Sequence, residues 1–267
     1  KHYGVPVYRL LGGAFRTHVE PYATGFYRIK GQGEAQRLAD EALRHFEAGF
    51  RAMKVKLGYG VDDDLACMAA VARALQGKDV TLMVDTNHAY GRAEALRLGR
   101  ALDQYQLRWY EEPVVPEDVA GYVELRARLQ TPIAGGENEH SLYGFRDLVQ
   151  AHAVDVVQPD IGSCGGFTAC RHIVALAQAN GIAVNPHVWG SAVAQAASLQ
   201  LIAALPVAHH SIFPQQPILE YDRSSHPFRR ELVTAPVDLV EGRVHIPDGP
   251  GLGIEVVEAT LKRYAAP

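Results

Sequence analysis

Eight short runs of β-forming residues alternate with longer segments whose apolar residues recur at helical spacing. This repeat confines the chain to an α/β fold. The β runs fall at 19–24, 52–57, 81–86, 107–112, 132–137, 156–161, 183–188 and 218–221. Between them, helical patterns span 34–48, 62–76, 92–105, 116–129, 141–151, 167–180 and 191–205. In the first of these, Leu38, Ala42, Leu43 and Phe46 share one face and Gly49 ends the pattern. The second opens on acidic residues and stops at Gly77, as the helix dipole and a left-handed terminal glycine favour. Eight such units in 267 residues fit a (β/α)8 barrel. A doubly wound open sheet is the alternative, but it calls for GxGxxG in the first strand-to-helix turn, and that motif is absent there.

Nearly every expected strand ends on an ionisable residue, at the end of the barrel where active sites are built. The series is Lys56, Asp85, Glu111, Glu137, Asp160, His187 and Glu220, each 23 to 33 residues from the next, one strand-helix unit per step. Asp85, Glu111 and Glu137 come from three adjacent strands and offer only hard oxygen donors, which suits Mg²⁺. A single carboxylate is usually a solvated loop residue. Three converging on one rim repel one another, and a cation relieves that repulsion. In EEP, strand alternation lets only one of Glu111 and Glu112 face the metal, and the 26-residue spacing selects Glu111.

The run AMKVKLG places Lys54 and Lys56 two apart, so they share a strand face. Facing an acidic ring, they await an anion, here a substrate carboxylate. A lysine beside another cation and a divalent metal should have a lowered pKa, leaving one of the pair able to act as a base. Asp160, in QPD, and His187, in PHVWG, suit a dyad in which the carboxylate fixes the imidazole tautomer and raises its basicity. The two bases would flank one carbon.

These motifs, KVK at 54–56, VDTN at 84–87, YEEP at 110–113, GGEN at 135–138, QPD at 158–160 and PHVWG at 186–190, resemble the mandelate racemase subgroup of the enolase superfamily. The resemblance implies a modified (β/α)7β barrel, Mg²⁺ on Asp85, Glu111 and Glu137, and Lys56 as base with Lys54 on the substrate carboxylate. It also implies the His187–Asp160 dyad as the opposite acid or base, Glu220 as hydrogen-bond partner of the intermediate, and Asn87 as a polar neighbour of the metal. KHYG, YATG, EEPVVPE, PHVWG and IPDGPGLGIE look most like galactarolactone cycloisomerases and acid-sugar dehydratases. The implied reaction removes the proton α to a sugar-acid carboxylate, forms an enediolate and expels a β-oxygen. Racemisation or epimerisation would share its first step, and an acid-binding barrel without catalysis would share its ring.

The resemblance further implies an amino-terminal capping domain that this sequence lacks. Its opening, KHYGVPVYRLLGG, reads as the middle of a longer chain. The expected organisation is a leading segment, 1–18, a catalytic barrel, 19–235, and a tail, 236–267, that would pack on such a cap. The expected ligand is an aldonic or aldaric acid or its lactone, and a homo-oligomer is the expected state. A net charge of −4 gives no basic excess for nucleic acid. Without an apolar run near the roughly 20 residues of a spanning helix, or a signal peptide, no membrane partner is expected. Three cysteines without zinc spacing favour a reducing cytoplasm. A phosphate-handling barrel would want a glycine-rich loop after the seventh strand, where PHVWGSA offers one glycine.

Overall fold

The computed structural model describes residues 1–207 and 215–265. Eight parallel strands follow one another round a single sheet: Pro21–Thr24, Ala52–Lys56, Thr81–Asp85, Tyr110–Glu111, Ile133–Gly135, Val156–Val157, Ala183–Val184 and Leu219–Asp222. The eighth pairs with the first, so the sheet curls round and its edges are the seventh and eighth strands. Seven helices connect successive strands up to that edge: Ala35–Glu47, Val61–Ala74, Arg92–Leu102, Val119–Arg128, Ser141–Gln150, Gly166–Ala179 and Ala192–Ala204. Each runs within a few residues of its expected span. No helix among the described residues is long and apolar enough to cross a membrane.

Seven of the eight strands are shorter than the β runs of the sequence. The fourth keeps two residues of 107–112, the sixth two of 156–161 and the seventh two of 183–188. Pro113, Pro159 and Pro186 follow closely on these three ladders, and proline has no N–H to extend one. The first run is also split. His18–Val19 leaves the barrel to pair antiparallel with Arg243–His245, which in turn pairs with Leu239–Val240. The leading segment and the tail are thus joined, with Val7 N donating to Gly251 O (2.9 Å) and Lys1 Nζ to Glu255 (2.6 Å).

The period of two along each strand sets the interior in layers. Tyr22, Ala52, Met83, Trp109, Ala134, Val156 and Ile218 form a buried apolar floor inside the barrel. Two residues further along four of those strands stand Lys54, Asp85, Glu111 and Glu220, each buried. The floor carries the polar layer. Outside the sheet, faces such as Leu38, Ala39 and Ala42 of the first connecting helix form the larger core with the outward strand residues.

No backbone ladder joins the seventh and eighth strands among the described residues; side chains do. Asn185, buried just past the seventh strand, accepts from Ile218 N at 2.8 Å, and Glu220 accepts from Val188 N at 3.0 Å. Replacing Asn185 by alanine leaves the Ile218 N–H buried without a partner. Urea unfolding should show Asn185→Ala less stable by about 1–3 kcal/mol.

Candidate active site

The second strand delivers both lysines to the mouth, at different depths. Lys54 is fully enclosed, its Nζ 2.5 Å from Glu111 Oε1, 2.8 Å from Glu220 Oε1 and 3.6 Å from Asp85 Oδ2, over the Tyr22 ring at 5.7 Å. Lys56 is nearer the opening. Its ammonium pairs with Asp85 and donates to Asn87 Oδ1 at 2.9 Å. The expectation that one lysine has a lowered pKa does not hold here, as both are raised. Burial is the largest single influence and lowers each, but Glu111, Glu220, Tyr22 and Asp85 together outweigh it at Lys54, and Asp85, Glu111 and Glu220 together do so at Lys56. The carboxylates pair directly with both ammonium groups, which the sequence spacing alone did not reveal.

Asp85 and Glu111 stand at the ends of adjacent strands, and Glu137 two residues past the next. One oxygen from each lies within 4.8 Å of the other two. Glu111 is held from below, its Oε2 accepting from Trp109 Nε1 (2.8 Å) and Gln158 Nε2 (2.7 Å). Asp85 Oδ1 accepts from Asn87 N at 2.8 Å. Glu137 Oε2 is buried with no hydrogen bond, although it faces His187 Nε2 at 3.3 Å.

His187 and Asp160 meet as the sequence suggests. His187 Nδ1 and Asp160 Oδ2 are 2.7 Å apart, which leaves Nε2 turned toward Glu137 and, at 3.9 Å, Glu220. Burial lowers the imidazole pKa, but Glu220, the Asp160 hydrogen bond and Glu137 overcome this and lift it to about 9. Glu220 goes the other way. Burial raises it, yet Lys54, His187 and Lys56 hold it down to about 2.

Sequence alternation misplaced one residue. Glu112 was expected to face away, but it is buried beside the cluster, accepting from Asn138 Nδ2 at 2.6 Å and lying 3.5 Å from Asn87 Nδ2. Its φ of +46° is the reason, since a left-handed residue breaks the period of two. Gln158 and Trp109 also went unremarked as site residues. The Q of QPD, two before Asp160, was the only hint of the former.

Five carboxylates, Asp85, Glu111, Glu112, Glu137 and Glu220, therefore surround two ammonium groups. The imbalance is visible in their acidities. Glu111 is pushed up to about 8 by burial, against Lys54 and with Asp85, Glu220 and Glu137; Glu112 is pushed up to about 7 by burial, Glu137 and Asp85. A divalent cation fits this donor set, which is all oxygen, surplus in negative charge and includes a buried carboxylate oxygen without a hydrogen bond. A carboxylate oxygen that accepts one hydrogen bond retains a lone pair for a metal.

The chain is similar to proteins of named activity. D-galactarolactone cycloisomerase of Agrobacterium fabrum is 42% identical over all of this chain and 70% of its own length. The crystal structure of the 3,6-anhydro-D-galactonate cycloisomerase from Zobellia galactanivorans matches with a TM-score of 0.90 at 38% identity, over 100% of this chain and 71% of that one. That of L-talarate dehydratase from Polaromonas sp. JS666, complexed with Mg and L-glucarate, matches with a TM-score of 0.85 at 28% identity, over 100% and 68%. The chain spans from about half to 70% of the length of the curated relatives it matches. With residues 37–260 matching the family described as enolase C-terminal domain-like, and with its relatives named as cycloisomerases and dehydratases of acid sugars, the chain belongs to that family, within the enolase superfamily.

Proposed function

We propose that this barrel removes the proton α to the carboxylate of an aldonic or aldaric acid, or its lactone, and expels a β-oxygen, as an acid-sugar dehydratase or aldarolactone cycloisomerase does. The observation that carries this reading is the convergence of Lys56, the His187–Asp160 pair and the Asp85–Glu111–Glu137 cluster on one mouth. Lys56 ends the second strand and His187 lies three residues past the seventh, so the two reach the mouth from strands that are three apart across the open edge of the sheet. A 42% identical cycloisomerase and a similar dehydratase seen with Mg and L-glucarate support it. The barrel, 19–235, holds every residue used, and the tail, 236–267, is the part that would pack on a capping domain. The three cysteines are free and buried, in keeping with a cytoplasmic enzyme.

The roles follow from depth and partners. Lys56, the more exposed lysine, takes the α-proton on its Nζ, in its neutral form, from one face of the carbon. That form becomes accessible when positive charge held at Asp85 offsets the pairing that keeps the ammonium protonated. His187 acts from the other face, with Asp160 on Nδ1 leaving Nε2 to give a proton to the departing hydroxyl or ring oxygen. Lys54 lies too deep to meet solvent; its charge keeps Glu220 ionised and attracts the substrate carboxylate from below. Glu220, ionised, holds the intermediate by accepting a hydrogen bond from one of its hydroxyls, and Asn87 steadies Lys56. Asp85, Glu111 and Glu137 would hold Mg²⁺, which when bound supplies fixed positive charge where the carboxylate gains negative charge. Dehydration and cycloisomerisation share these steps and differ only in whether the β-oxygen is a hydroxyl or a ring oxygen.

Two measurements test this. Calorimetry should find one Mg²⁺ per chain, with affinity weakened roughly tenfold or more in Glu137→Gln at unchanged fold; undiminished binding would remove Glu137 from the ligand set. In deuterated water, Lys56→Ala should abolish α-proton exchange for one configuration of substrate. His187→Asn should spare that exchange and slow β-elimination by about 10²–10⁴. Equal, small effects of both variants on both configurations would deny either residue the role of base.

A further inference from the structure

The rim of the mouth exposes two aromatic side chains that the chemistry above leaves unused. Trp189, two residues past His187, keeps 55% of its surface open, and Tyr27, in the loop after the first barrel strand, keeps 39%. The other tryptophan, Trp109, is buried in the floor. The Tyr27 side chain is hydrogen-bonded to Trp189 and stands within electrostatic reach of Asp222 and Lys56. Lys56, Asp222 and Trp189 belong to the ends of the second, eighth and seventh strands. The aromatic pair therefore spans the end of the eighth strand, beside the reacting groups.

The backbone carrying Trp189 is held firmly, although its ring is open. Arg229 Nε donates to Gly190 O at 2.8 Å, and its guanidinium pairs with Asp222, which also accepts from Ser224 N and Oγ at 2.7 Å each. Asp222 and Arg229 keep 1% and 13% of their side-chain surfaces exposed. This buried pair ties the residue after Trp189 to the residue two beyond Glu220. Val188, Gly190, Glu220, Asp222 and Arg229 line one small pocket, so the clamp and the reacting groups are contiguous.

Resting on the function proposed above, we propose that Trp189, with Tyr27, forms the wall against which the carbons beyond the β-carbon of a sugar acid lie, so that it selects for chain length. Arg229 is the positioning residue that holds this wall. The reaction uses the carboxylate, the α-carbon and the β-carbon, and a six-carbon acid extends three or more atoms past them. Its C–H groups, polarised by the hydroxyls they share carbons with, meet the negative face of an aromatic ring favourably. The Tyr27 hydroxyl, hydrogen-bonded to Trp189, keeps its own O–H as a polar partner at the ring edge.

Tryptophan emission of the Mg²⁺-loaded protein, titrated with galactarate (six carbons) and D-glycerate (three carbons), tests this without requiring turnover. Galactarate should change the emission and glycerate should not, and Trp189→Phe should alter the galactarate response while the protein still folds. In steady state, Trp189→Ala should raise KM for galactarate at least tenfold more than for glycerate, and Arg229→Lys should do the same to a smaller degree. α-Proton exchange in deuterated water separates the two readings. An emission change without exchange would count against the proposed chemistry and support the wall. Exchange without any emission change, or equal losses for both acids in Trp189→Ala, would overturn the wall.

Discussion

Repulsion among buried carboxylates is the constraint to which the rest of the site answers. Asp85, Glu111, Glu112, Glu137 and Glu220 crowd one barrel mouth, and burial opposes the ionisation of Asp85, Glu111, Glu112 and Glu220. Lys54 and Lys56 are the first answer. Lys54 in particular resolves an apparent contradiction, since a fully buried lysine is otherwise costly. Placed against Glu111 and Glu220, it turns two unfavourable desolvations into a paired, hydrogen-bonded arrangement. Two ammonium groups and the His187 imidazolium, itself paired with Asp160, cannot balance five carboxylates. The remainder is what makes this mouth a cation site, and a cation site next to two candidate bases is suited to removing a proton from a carbon acid.

The barrel supplies this arrangement through its period of two. An apolar layer containing Ala52, Met83, Trp109 and Ile218 packs the interior, and the next inward position on the same strands carries Lys54, Asp85, Glu111 and Glu220. The floor also works chemically, as the Trp109 indole donates to Glu111. Packing and charge therefore share the same strands. A change in strand register would move every member of the cluster to the opposite face.

The fold and most of the site could be read from the sequence because both depend on strict spacing. The strand-helix repeat and the residues at the ends of its strands appear wherever the chain obeys its periods. What was missed lies where it does not. Glu112 sits in a left-handed conformation that alternation cannot foresee. The strands stop early at prolines, and Val19 leaves for a sheet made with residues more than two hundred positions away. The raised pKa values of Lys54 and Lys56 depend on which charge lies closest, a matter of ångströms that a KxK motif does not carry. Asn185 across the sheet edge and Arg229 behind Trp189 are likewise long-range pairings with no local signature.

If unbalanced negative charge defines this site, a divalent cation should stabilise the folded protein by binding to it and not to the unfolded chain. The most direct measurement is the thermal unfolding midpoint as Mg²⁺ is raised at constant ionic strength. The account predicts a midpoint that climbs with the logarithm of Mg²⁺ concentration above the dissociation constant, and a smaller climb when Asp85 is replaced by asparagine. A midpoint that stays flat across the titration, at constant fold, would contradict it.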